Sequence, residues 1–177
     1  MTSDLQQRKT ALVFTAMDAD NDGYLERADF EALTDRWTTI RGQAGSARLR
    51  EIMMGWWDAL RAMCDADGDQ RVTLAEVWSV VDNLGSMLDR VAATADSMFE
   101  AVDEDGDGRV TAAEYARMIR AWTGRATPTD AAFARLDTDG DGFVSRSEFT
   151  AHWVEFWAGD DEDAPGTHLF GELGVDA

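Results

Sequence analysis

Apolar residues recur at three- and four-residue spacing along eight stretches of the chain, separated by polar, glycine-containing breaks. Leu5, Leu12, Val13 and Ala16 share one helical face, and Phe30, Leu33, Trp37 and Ile40 share the next. Ile52, Met53, Trp56, Leu60 and Met63 form a third stripe, and Val77, Trp78 and Val81 a fourth. Val91, Ala95, Met98 and Val102 make the fifth; Tyr115, Met118, Ile119 and Trp122 the sixth. A short seventh stripe, Phe133 and Leu136, follows Thr127-Pro128, and Phe149, Trp153, Phe156 and Trp157 line the last. Such a period belongs to amphipathic helices that each bury one side. The predicted class is all-α, with eight helices. Breaks at 41–46, 83–86 and 123–128 fall between helix pairs.

The other breaks repeat one twelve-residue pattern, starting at Asp18, Asp65, Asp103 and Asp137. Each copy has aspartates at positions 1, 3 and 5 and an acid at position 12. This is the EF-hand calcium loop, whose oxygens come from positions 1, 3, 5, 7, 9 and 12. In loop four the candidates are Asp137, Asp139, Asp141, the Phe143 carbonyl, a water held by Ser145, and Glu148. Loop three offers Asp103, Asp105, Asp107, the Arg109 carbonyl, Thr111 and Glu114. Gly142 and Gly108 stand at position 6, where the turn demands a conformation costly for other residues.

Two copies depart from the pattern. Loop one has Asp18, Asp20, Asp22 and the Tyr24 carbonyl, but closes with Asp29, one methylene short; Glu26 at position 9 can compensate by direct ligation. That set favours Mg²⁺ more than a glutamate-closed loop, because magnesium accepts six tight, monodentate ligands. Loop two has Asp65, Asp67, Asp69, the Arg71 carbonyl, Thr73 and Glu76, but Gln70 occupies position 6. A non-glycine residue forced to positive φ costs roughly 1–2 kcal/mol, so this is the weakest expected site. Three or four Ca²⁺ ions are therefore expected. Position 8 is Leu25, Val72, Val110 and Val144, an apolar residue suited to a short strand joining loops in pairs, one with two and three with four.

Loop spacing then sets the organisation. An N-terminal pair is expected over 1–85, a C-terminal pair over 86–159, and a tail over 160–177 packing on the core. Loop starts lie 47, 38 and 34 residues apart, so the first pair carries the longer helices. Short links between long helices favour one body over a dumbbell.

Charge narrows the partners. About half of the 35 acidic residues lie in the loops, and the formal charge is −19. Such a chain repels nucleic acid and anionic membranes. No apolar run approaches the roughly 20 residues needed to span a bilayer. The N-terminus is polar, without a secretory leader, and the single Cys64 cannot form an internal disulfide. A cytoplasmic monomer is expected. One lysine against fifteen arginines suggests GC-rich bacterial coding. His152 and His168 have no serine or carboxylate pattern around them, so no catalytic site is expected. Seven tryptophans and eight methionines are read as core filling, ahead of a ligand cavity.

These residues resemble the sarcoplasmic calcium-binding protein family, and within it the calerythrin-like bacterial members. The resemblance covers essentially the whole chain. It rests most on Gly23-Tyr-Leu25-Glu26-Arg27-Ala28-Asp29-Phe30 and on the tail from Pro165 to Leu173. It implies a compact four-hand globule that buffers or transports Ca²⁺. The alternative is a calcium sensor acting on a protein partner, and a less favoured one is a calcium-gated small-molecule binder. The chain is also similar to the coelenterate photoproteins. However, Trp153 and Phe170 stand where their tail histidine and tyrosine belong, and luciferin oxidation is not expected.

Overall fold

The computed structural model describes residues 3–171. It contains eight α-helices among them: α1 (Asp4–Met17), α2 (Arg27–Arg41), α3 (Ser46–Cys64), α4 (Leu74–Val81), α5 (Leu88–Val102), α6 (Ala112–Thr123), α7 (Asp130–Leu136) and α8 (Arg146–Ala158). Short 3₁₀ turns cover Leu84–Ser86 and Pro165–His168. Two two-residue strands, β1 (Arg109–Val110) and β2 (Val144–Ser145), pair antiparallel with Val110 opposite Val144. In the first half an isolated bridge joins Leu25 to Val72 through backbone bonds of 2.8 and 3.0 Å. The position-8 residues therefore pair the loops as the sequence predicts, and α2 and α3, at 15 and 19 residues, are among the longest helices.

The helices start where the chemistry says they should. Thr73, Thr111 and Ser145 are N-caps of α4, α6 and α8; each hydroxyl accepts from the backbone N–H of the glutamate three residues on. That glutamate reaches back to the cap's own N–H, closing a capping box.

One continuous apolar core runs through both halves. Trp37, Trp122 and Trp153 are each 1% exposed. Trp56 of α3 meets Trp122 of α6 at 5.3 Å and Trp153 of α8 at 6.1 Å between ring centroids. Aromatic pairs at such separations contribute beyond their buried area. Near the C-terminal end, Leu169 and Phe170 are buried, and Phe170 packs on Trp122, Trp153 and Phe156. Gly166 lets this segment approach, since a Cβ there would lie 2.6 Å from the His152 carbonyl oxygen. Residues 172–177 of the expected tail lie outside the described residues.

Among the polar contacts between the halves, three cations of the first half cap helices of the second, while Arg48 pairs with the Glu100 carboxylate at 2.8 Å. Lys9 Nζ donates to the carbonyls of Glu155 (3.0 Å) and Gly159 (2.8 Å) at the end of α8. Arg36 donates to the Ala121 and Trp122 carbonyls at the end of α6. Arg41 donates to the Ala101 carbonyl at the end of α5, at 2.9 Å. The last carbonyls of a helix lack internal partners and sit at the negative end of its dipole, so cations are well placed there.

Candidate metal centre

Each loop begins as a helix ends and closes as the next begins, so local hydrogen bonding alone orients the acids. The position-1 aspartate accepts the position-6 N–H in all four copies: Asp18 from Gly23 (2.9 Å), Asp65 from Gln70 (3.1 Å), Asp103 from Gly108 (2.9 Å) and Asp137 from Gly142 (2.8 Å). The position-5 aspartates, Asp22, Asp69, Asp107 and Asp141, accept from the position-7 N–H at 2.8–2.9 Å. The position-3 aspartates, Asp20, Asp67, Asp105 and Asp139, accept from position 5 at 3.1–3.2 Å. The position-1 aspartates accept backbone N–H bonds on both oxygens, and the position-3 and position-5 aspartates use Oδ1. Each carboxylate oxygen keeps lone-pair capacity for a cation.

The result is four convergent sets of carboxylate oxygens, each set within 4.8 Å of one another. They are Asp18, Asp20 and Asp22; Asp65, Asp67 and Glu76; Asp103, Asp105 and Glu114; and Asp137, Asp139 and Asp141. Oxygens packed this closely suit a hard divalent cation, which takes oxygens at 2.3–2.6 Å. The chemistry of the donors fits Ca²⁺.

The closing acids are held alike. Glu76, Glu114 and Glu148 each accept from the backbone N–H of position 2 and of position 9. Asp29 reaches the same two donors, Ala19 (3.0 Å) and Glu26 (2.8 Å). Its shorter side chain is accommodated without loss of either bond. Burial pushes the Asp29 carboxyl above its ordinary pKa, aided by the charges of Asp20 and Asp18 and opposed by those two bonds. Burial acts the same way on Glu148, but bonds from Ser145 and Thr138 outweigh it and hold its pKa at about 2.

Three findings differ from, or add to, what the loops suggest in sequence. First, Glu26 forms an ion pair with Arg71 at 2.7 Å, across to loop two, while Asp18, Asp20 and Asp22 form the convergent set. Second, the Thr73, Thr111 and Ser145 hydroxyls lie 2.9–3.2 Å from the closing glutamates and serve as helix caps. The pattern Ser/Thr-x-x-Glu carried that signal. Third, the position-7 side chains interact across each pair. Arg109 lies over Phe143 at 4.2 Å, and Arg71 over Tyr24 at 5.2 Å. An arginine and an aromatic residue at matching positions were visible in the sequence, though their contact was not.

Gln70 has φ +68°, as position 6 demands, beside +83° to +89° for the glycines of the other loops. The histidines are not among the convergent acid sets. His152 is buried with Nε2 2.7 Å from the Leu136 carbonyl, and His168 lies near the Glu162 carbonyl and Arg135. Burial pushes the Cys64 thiol up to about 12, which keeps it neutral.

Comparison with known proteins agrees with this geometry. The EF-hand family model matches residues 11–34, 95–119 and 129–151. A solved calcium-binding protein of Streptomyces coelicolor, described in terms of prokaryotic calcium-mediated regulation, is 30% identical. The match covers 88% of this chain and 99% of that one, with TM-score 0.69. The chain belongs to the EF-hand family of calcium-binding proteins. It is thus a binding protein and not an enzyme. The amphioxus sarcoplasmic calcium-binding protein, 17% identical, shares the fold over 97% of this chain and 99% of its own, with TM-score 0.67. The beta chain of the Penaeus sarcoplasmic calcium-binding protein is 38% identical over 69 residues. That alignment spans about a third of each chain, 36%. No helix among the described residues is long and apolar enough to cross a membrane.

Proposed function

We propose that this EF-hand protein is a calcium buffer or transporter, binding three or four Ca²⁺ ions through its loops. In loop one the ligands are Asp18, Asp20, Asp22, the Tyr24 carbonyl and Asp29, with Glu26 able to join if it leaves Arg71. In loop two they are Asp65, Asp67, Asp69, the Arg71 carbonyl, Thr73 and Glu76. Loops three and four use Asp103, Asp105, Asp107, Arg109, Thr111 and Glu114, and Asp137, Asp139, Asp141, Phe143, Ser145 and Glu148, with arginine and phenylalanine acting through their carbonyls. The position-9 hydroxyls act through water or by holding the closing acid. Loop one also accepts Mg²⁺. The protein works as a cytoplasmic monomer.

One observation carries the reading of a buffer over a sensor. Both halves share one core and are tied by cation caps, so there is no separate lobe to open. A sensor displays an apolar face when calcium arrives. Its support here is the Streptomyces relative described in regulatory terms. Adding calcium to the metal-free protein should lower the fluorescence of a hydrophobic dye if the ion closes a core. A rise in dye binding would favour the sensor. Calorimetric titration with and without Mg²⁺ counts the sites.

A further inference from the structure

Behind loop two, helices α3, α4, α5 and α8 leave an apolar cavity of about 70 Å³ that opens to solvent. Trp56, Leu60, Val80, Met87 and Trp157 contribute to its walls. An apolar cavity of about 150 Å³ accepts benzene, so this one accommodates the end of an alkyl chain. Met87, and Met63 beside it, are adaptable side chains that can widen it. The wall's hydroxyl is already engaged: Thr94 Oγ1 accepts from Trp153 Nε1 at 2.9 Å and donates to the Val91 carbonyl at 2.7 Å.

Arg90 also lines this cavity, and its side chain is exposed. Eight other arginines hold carboxylates within 4.0 Å. Arg90 forms no such pair among the described residues. Its guanidinium thus stands beside an apolar opening without a carboxylate of its own, in a chain of net charge −19. Its planar fork matches a carboxylate.

We propose that the cavity binds a small amphipathic carboxylate, its alkyl end between α3 and α8 and its carboxylate on Arg90. This site is independent of the metal loops' role as buffer or sensor. Ligands of this shape join one charged group to an apolar tail, as the cavity joins one cation to an apolar wall.

The test uses the full calcium-loaded chain and two probes with similar tails, octanoate and octanol, read by tryptophan fluorescence. Both should bind saturably. In Arg90→Ala the octanoate affinity should fall about fivefold relative to octanol, as expected for loss of one solvent-facing ion pair. Val80→Phe, which fills the cavity, should weaken both probes together. Arg90 is exposed, so its variant should fold even if the filled one does not. An unchanged octanoate-to-octanol ratio in Arg90→Ala, or no saturable signal from either probe, would overturn the proposal.

Discussion

Lys9 Nζ, fully buried, lies 2.8 Å from the carbonyl oxygen of Gly159 and 5.6 Å from the centre of the Phe156 ring. Helix α1 leads into loop one, and α8 leaves loop four. A single ammonium thus joins the first hand to the last. Burial lowers its pKa to about 8 from 10.5, against the raising effect of Glu155 and Asp160. Because the folded state loses this proton more readily than the unfolded state, the neutral form favours folding. Its stabilisation is fully present above the unfolded value and is lost as pH falls through about 8. Between pH 8 and 9 the wild type should gain on Lys9→Met by up to about 1.4 kcal/mol per pH unit. Chemical denaturation of both proteins at fixed calcium checks this, and parallel pH profiles would refute it.

The stacking of Arg109 on Phe143 gives a second expectation. An exposed cation–π contact contributes about 0.5–1 kcal/mol. Phe143→Ala keeps the backbone carbonyl but removes the ring. Calcium affinity of the second loop pair should fall about two- to fivefold, and binding to loops three and four should become less cooperative. A calorimetric isotherm superimposable on the wild type would rule this out.

Gln70 sits at φ +68° where the other loops use glycine. Gln70→Gly should tighten loop two by about tenfold, the equivalent of roughly 1–2 kcal/mol of relieved backbone strain. Titration of a variant whose other three loops are inactivated measures this site directly. An unchanged dissociation constant would mean that the loop carries the conformation without cost.

Asp29 makes both backbone bonds that the closing glutamates make elsewhere. Its carboxylate therefore sits one methylene nearer its own helix. Asp29→Glu should raise the preference of loop one for Ca²⁺ over Mg²⁺, since a longer acid can offer both oxygens. Competition titration reads this, and an identical selectivity ratio would contradict it.

The loops were legible because their chemistry is local: twelve consecutive residues fix both ligand type and turn. Leu25, Val72, Val110 and Val144 gave the pairing by the same token. Lys9 was harder. It stands four residues from both Leu5 and Val13, on the buried stripe, yet a lysine ordinarily reads as a solvated position. Only contact with the end of α8 explains it. Thr73, Thr111 and Ser145 each admit two readings in sequence, water-holding ligand or helix cap, and the geometry displays the cap. The meeting of Trp56 with Trp122 and Trp153 joins segments remote in the chain, which periodicity cannot specify.

Lys9 is the sole lysine of the chain, and its ammonium is sealed between α1 and the end of α8. The described surface therefore offers amine-directed reagents no lysine to attack. Acylation of this side chain must wait until α1 separates from α8, so its rate reports how often the first helix detaches. The molecule carries its own chemical clock for that opening.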